Sequence, residues 1–194
     1  MLEYLTTYLD LILEVLGFVT GLCYLWYEYH ASARLWIFSI IMPLIGMVLY
    51  FNKGIYADFA INIYYFLIAI YGYVAWTFNF SKKQKEELPI TKTQGSAIAI
   101  CTVAAAVLWI VISYVLRTYT DSTVPYVDAF TTSLSIVAMW MLARKYVEQW
   151  LVWIVVDAVS AGLYLYKGIP FYCVLYAIYT AVAYFGYRRW LRLM

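Results

Sequence analysis

Asp157 is the residue of this chain whose position most needs a chemical explanation. It lies inside a continuous apolar run, QWLVWIVVDAVSAGLYLY, about eight residues from its start and so near mid-bilayer if the run crosses a membrane. An ionised, unpaired carboxylate at that depth costs several kcal/mol, and no Lys or Arg stands at similar depth in any other apolar run. The group is therefore protonated, held by hydroxyl or amide donors, or a counter-ion for a cationic ligand. Trp153 precedes it by four residues, which places indole and carboxylate on one helical face. That combination suits a desolvated organic cation, because cation–π attraction adds about 0.5–2 kcal/mol to the charge pairing. Asn62, in another apolar run, can donate and accept, and serves either a ligand or a neighbouring helix. Tyr64 and Tyr65, beside it, offer rings for stacking. Pro43 interrupts helical hydrogen bonding at midplane depth, either as a static kink or as a hinge.

Catalytic signatures are missing from this set. The patterns GxxxxGK[ST], GxSxG and HExxH do not occur, and the polar loops are too short for an ATP-hydrolysing domain. Cys23, Cys101 and Cys173 lie far apart in apolar segments, and His30 is the single histidine, so no metal site is expected. The reading is of a protein that is not an enzyme and needs no cofactor.

The composition requires a lipid environment for these residues. Of 194 residues, 66% are hydrophobic and 12% charged, against about 45–50% and about 25% in soluble domains. A net charge of +2 is too small to argue for nucleic acid. The N-terminus has no Lys or Arg before its first apolar run, so that run is expected to be retained. Seven apolar stretches approach the roughly 17–25 residues of a crossing: 9–30, 33–51, 56–79, 96–117, 128–144, 149–166 and 170–190. With seven crossings, one side collects Arg34, Lys82, Lys83, Lys85, Lys92, Arg144, Lys145, Arg188, Arg189 and Arg192. The other collects Lys53, Arg117 and Lys167. Ten against three places the N-terminus outside and the C-terminus in the cytoplasm.

The chain also repeats itself. Trp36 to Trp76 aligns without a gap on Trp150 to Trp190, an offset of 114, with identities that include Trp36/Trp150, Lys53/Lys167, Gly54/Gly168, Tyr65/Tyr179, Gly72/Gly186 and Trp76/Trp190. Extended backwards, the offset pairs Glu14 with Asp128, a shared position that reads as structural. The expected architecture is all-α: two parallel three-helix bundles, 1–80 and 127–194, joined by a cytoplasmic loop, 81–95, and a linker crossing within 96–126. The linker crossing restores parallel orientation, as in SWEET-like transporters with a substrate site between the repeats. The halves differ where a site would be. Trp153 and Asp157 correspond to Ser39 and Pro43, and Asn62 corresponds to Tyr176. Gly46 and Gly162 are expected where helices approach closely.

The run DAFTTSLSIVAMWMLARKYVEQWLVWIVVDAVSAGLYLYKG, Asp128 to Gly168, together with IYADFAINIYYFLIAIYGYVAW in the first half, resembles the PnuC family of bacterial vitamin transporters. The resemblance implies a seven-helix SWEET-like fold in the bacterial inner membrane. It also implies facilitated diffusion of a small vitamin that a cytoplasmic kinase then phosphorylates and traps. Measured against the nicotinamide riboside branch, the sequence departs at three positions, with Asp157 for an Asn, Asn62 for a Gln and Met42 for an Asn. These departures point to the PnuT thiamine branch, with nicotinamide riboside second. The expected substrate site comprises Trp153, Asp157, Asn62, Tyr65, Tyr176, Ser39 and Met42, with Pro43 as hinge. A homo-oligomer is compatible with this reading, and a non-transporting membrane scaffold or enzyme is the alternative from another class.

Overall fold

In the absence of water the backbone must satisfy its own hydrogen bonds, and helices are how this chain does so. The computed structural model describes residues 19–52, 56–78 and 88–194. Seven helices are visible there: α1 (described over residues 19–29), α2 (Leu35–Asn52), α3 (Tyr56–Thr77), α4 (Gly95–Tyr119), α5 (Pro125–Ala143), α6 (Gln149–Tyr166) and α7 (Pro170–Leu193). No strand occurs among the described residues. Phe59–Thr77 within α3, and all of α4, α5 and α6, are long and apolar enough to cross a membrane, and α2 is apolar over the shorter Leu35–Val48. The seventh expected crossing forms a helix of sufficient length, but the five tyrosines of α7 make it less apolar than those four. The beginning of the first expected crossing, the Lys53–Gly54 turn and most of the lysine-rich loop lie outside the described residues.

The chain divides into two compact units, Met1–Leu88 and Pro89–Met194. In the first, α2 packs on α3. In the second, α4 packs on α5, α5 on α6 and α6 on α7. The helix expected as a connector is thus a component of the second unit. Cys101 of α4 packs against Val137 and Met141 of α5. At the other end, Trp109 Nε1 donates to the Tyr126 carbonyl at 3.0 Å and Arg117 donates to the Tyr126 hydroxyl at 2.7 Å.

The repeat read in the sequence is a repeat of geometry inside each unit. The α1–α2 turn carries amide-to-carbonyl bonds from His30 to Trp26, Ala31 to Glu28, Ser32 to Tyr27, Leu35 to Ser32, Trp36 to Ala33 and Ile37 to Arg34. The α5–α6 turn carries the same six bonds with every number raised by 114, Arg144 to Trp140 through Leu151 to Glu148. Both turns close with a left-handed residue, Ala31 at φ 52° and Lys145 at φ 58°. This is the usual way to end a helix, although neither position is the glycine that such a φ favours.

Each turn delivers a tryptophan to the same lock. Trp36 meets Trp76 edge to face at 5.6 Å and 88°, and Trp150 meets Trp190 at 5.7 Å and 87°. All four rings are fully buried. Gly72 and Gly186, one turn before Trp76 and Trp190, form the notch: a Cβ on Gly186 would lie 2.7 Å from the Trp150 ring, and one on Gly72 would overlap Trp36.

On the second unit alone, the segment before α4 is tied to the α5–α6 turn. Thr91 pairs with Tyr146 in a single parallel bridge, its N–H donating to the Lys145 carbonyl and its carbonyl accepting from the Val147 N–H, and the Glu148 carboxylate accepts both the Thr93 N–H at 2.8 Å and the Thr93 hydroxyl at 2.7 Å. Two tests follow from this packing. Gly72→Ala and Gly186→Ala should each destabilise the protein by about 1–3 kcal/mol, read as a lower unfolding midpoint in detergent, because the added methyl has no room. Glu148→Ala should leave α5 and α6 protected but raise amide hydrogen exchange at Thr93, and unchanged exchange there would show that the tie does not hold the segment.

Candidate functional site

Asp157 faces its surroundings from the third turn of α6 and is 7% exposed. It makes no hydrogen bond and no ion pair among the described residues, yet its oxygens are not sealed from access. The lysine of this unit nearest in sequence, Lys167, is engaged elsewhere, 3.6 Å from Asp128, which also accepts from the Ser122 hydroxyl at 2.6 Å. That pairing agrees with a structural role for Asp128.

The walls around Asp157 are aromatic. Trp153, one turn earlier on α6, has a buried Nε1 with no hydrogen-bond partner among the described residues. From α7, Tyr176 and Tyr179 lie within electrostatic reach of the carboxylate. Their rings meet at 75° with centroids 5.8 Å apart, which makes a two-walled corner beside the charge. Tyr164 backs this corner, stacked on Tyr176 at 5.3 Å and 13° and sharing a side-chain hydrogen bond with it. Tyr172 stacks on Tyr164 in turn, at 5.1 Å and 25°. Positions 172, 176 and 179 recur at the spacing of one helical face, and 157 and 164 do the same on α6. An unpaired carboxylate in a corner of π faces is the arrangement that holds an organic cation.

Of the residues expected in the site, Trp153, Asp157 and Tyr176 are thus together in the second unit. Sequence reasoning does not single out Tyr164, Tyr172 and Tyr179. For Tyr172 and Tyr179 the signal is the i, i+4, i+7 spacing of tyrosines on α7, which an interfacial aromatic belt also explains, and Tyr164 on α6 has no such signal.

The remaining candidates lie in the first unit. The Ser39 hydroxyl is buried and donates to the Leu35 carbonyl at 3.1 Å, so its donor is already used within α2. α2 continues as helix through Pro43, with Met42 beside it 41% exposed. Tyr65 meets Tyr64 at 5.6 Å and 59°. Asn62 lies against Gly46: a Cβ built on that glycine would run into the Asn62 carboxamide. Close approach at Gly46 is therefore as expected, whereas Gly162 has nothing within 4 Å and is not a packing glycine in its unit.

These arrangements separate residues held by packing from one held by nothing. Gly46→Ala should lower the unfolding midpoint by the equivalent of about 1–3 kcal/mol, and Asn62→Ala added to it should recover part of that loss. Asp157→Asn should leave the midpoint unchanged within about 0.5 kcal/mol, because no partner is lost. A clear drop would reveal a structural bond.

A family model described as nicotinamide mononucleotide transporter matches residues 11–192. The chain is 26% identical over 203 residues to the nicotinamide riboside transporter PnuC of Escherichia coli, covering 92% of this chain and 84% of that protein. It is 30% identical over 124 residues to the riboflavin/roseoflavin transporter RibM of Streptomyces davaonensis, covering 63% of this chain and 58% of that one. Among solved structures, the crystal structure of the vitamin B3 transporter PnuC matches with a TM-score of 0.66 over 91% of this chain and 79% of that chain, at 21% identity, which is a likeness of fold.

Proposed function

Since the chain belongs to the nicotinamide mononucleotide transporter family, and so is a multi-pass membrane transporter, we propose that its cargo is a small planar vitamin bearing a fixed positive charge, thiamine first. The observation that carries this reading is the unpaired Asp157 carboxylate in its aromatic corner. Burial without a partner is costly, and a cation entering the corner relieves that cost while its ring faces Trp153, Tyr176 or Tyr179. The thiazolium of thiamine supplies the charge, and its aminopyrimidine supplies a second ring for stacking. Nicotinamide riboside is the second reading, favoured by the name of the Escherichia coli relative, and its pyridinium is also a fixed cation. Riboflavin, named for the Streptomyces relative, brings no charge for Asp157 to meet.

Transport in this reading is facilitated diffusion across a bacterial inner membrane, with the N-terminus outside and two three-helix bundles set parallel by the linker helix. The vitamin enters from outside, Asp157 pairs the cation, and Pro43 serves as the hinge of the conformational change that exposes it inward. Phosphorylation by a cytoplasmic kinase then keeps the free vitamin low inside, so the gradient alone drives uptake.

The test is a titration of purified protein with thiamine, nicotinamide riboside and riboflavin, followed by intrinsic tryptophan quenching and repeated on Asp157→Asn. Thiamine is expected to quench saturably, with affinity weakened at least tenfold, about 1.4 kcal/mol, by the substitution. Saturation by the riboside alone would transfer the assignment to the second reading. Tighter binding of riboflavin than of either cation, unaffected by Asp157→Asn, would overturn the role given to the charge.

A further inference from the structure

The tyrosine row extends past the corner that Asp157 needs. Tyr172, in the first turn of α7, is 45% exposed, and it stacks on Tyr164, which stacks on Tyr176. From Tyr172 to Tyr179 is seven residues of helix, about 10 Å along the axis. The row therefore runs from the α6–α7 hairpin, on the side that the charge count places outside, down to the depth of the carboxylate.

The repeat provides an internal control on what the row is for. The lock between the paired helices is duplicated at offset 114: the two tryptophans, the notch glycine, the turn and its six bonds. The row is duplicated only in part: Tyr164 and Tyr179 correspond to Tyr50 and Tyr65, but Tyr172 corresponds to Asp58 and Tyr176 to Asn62. Helix pairing of this kind thus does not require four adjoining phenols.

The hairpin that carries the outer rings is well fixed. Gly168 takes φ 72°, and the Lys167 and Ile169 amides donate to the Leu163 and Tyr164 carbonyls, each at 2.9 Å. Lys167 would repel a cation at this mouth were it unpaired, but Asp128 holds it at 3.6 Å. Phe171 meets Tyr172 at 87° and 5.7 Å, so the exposed phenol is itself one wall of a small aromatic corner. Tyr172 bonds to no carboxylate among the described residues.

We propose that Tyr172, backed by Tyr164 and flanked by Phe171, is a second and weaker subsite, at which a planar aromatic ring stacks before it reaches Asp157. Lacking a counter-ion, it reads ring shape and not charge, so it takes neutral and cationic rings alike, and selection for charge is left to the inner corner. The direction of travel rests on the reading of Asp157 as the cation site, whereas the stacking itself does not.

The experiment uses the full chain in nanodiscs, labelled with 3-fluorotyrosine, with the Tyr172 resonance assigned by its loss in Tyr172→Phe. Thiamine and riboflavin are each expected to move that resonance, and ribose to leave it in place. In Asp157→Asn both shifts should persist, needing thiamine well above the concentration that fills the wild-type inner site. A silent resonance would mean that Tyr172 faces lipid and would overturn the proposal, as would a shift that vanishes in Asp157→Asn, since Tyr172 would then only report the inner site. Persistent shifts at Tyr172, together with thiamine quenching unchanged by Asp157→Asn, would leave the subsite standing and remove the function proposed for Asp157. A Tyr172→Ala variant should lower kcat/KM for uptake several-fold while the equilibrium affinity of the inner site stays within twofold, and an unchanged kcat/KM would deny the subsite a part in transport.

Discussion

Lipid surrounding a helix is as apolar as the side chains it would bury, so helices in a membrane associate through fit and not through exclusion from water. In this protein the fit is a tryptophan laid into a glycine notch. Trp36 at Gly72 and Trp150 at Gly186 fix where α2 crosses α3 and where α6 crosses α7, with Trp76 and Trp190 closing each lock edge to face. Such a ring pair contributes about 0.5–1.5 kcal/mol beyond the area it buries. The Nε1 atoms of Trp36 and Trp150 are both buried without a hydrogen-bond partner among the described residues, a cost the close packing must offset twice. Every functional side chain described above lies along one of these two helix pairs. Its depth is therefore set by the lock.

Duplication makes the division between scaffold and site unusually plain. Most residues that the offset of 114 keeps are packing residues, with Tyr164 and Tyr179 of the aromatic corner as exceptions: Ala69 and Ala183 are buried beside the locks, and Gly72 and Gly186 make the notches. Where it changes the residue, chemistry enters. Pro43 becomes Asp157, Ser39 becomes Trp153, and Asn62 becomes Tyr176. The first unit thus carries a proline-bearing helix and a carboxamide resting on Gly46, while the second carries a carboxylate among rings. Recognition of a ligand with one charged end, as proposed above, calls for such a difference and not for two identical half-sites.

Much of this architecture is legible in the amino-acid sequence. Apolar runs mark the helices because hydrocarbon leaves few alternatives, and the offset of 114 exposes the tryptophan–glycine pattern because packing at a notch tolerates little substitution. Asp157 stands out because charge at that depth is expensive. Other features are hidden for physical reasons. Lys145 and Ala31 sit at positive φ without being glycine, so the turn signal is missing. The Glu148–Thr93 tie joins residues 55 apart, and no local pattern announces it. The tyrosine row depends on how α6 and α7 rotate against each other, which periodicity alone leaves open. Gly162, with open space around it, shows the converse error: a small residue in a membrane helix invites a packing explanation that its surroundings do not supply.

The unpaired state of Asp157 bears on how such a protein can both select and release. Were the carboxylate already paired, a cationic ligand would first have to break that ion pair, and most of the gain from the new pair would offset the old loss. No such ion pair occurs among the described residues, and Lys167, at the far end of α6, pairs with Asp128. If Asp157 is the cation site proposed above, the carboxylate enters the binding step already buried, so a cation recovers a cost that folding has incurred, and a neutral ring recovers none of it. Discrimination by charge then needs only one residue. The walls add stacking, which is tolerant of ring identity, so affinity for the cation has one strong contribution and several weak ones. A transporter is served by that balance, because each additional directional bond would slow the departure of the cargo as much as it secured its arrival. On the reading proposed above, the aromatic corner around a single charge is a means of recognising a cation without holding it for long.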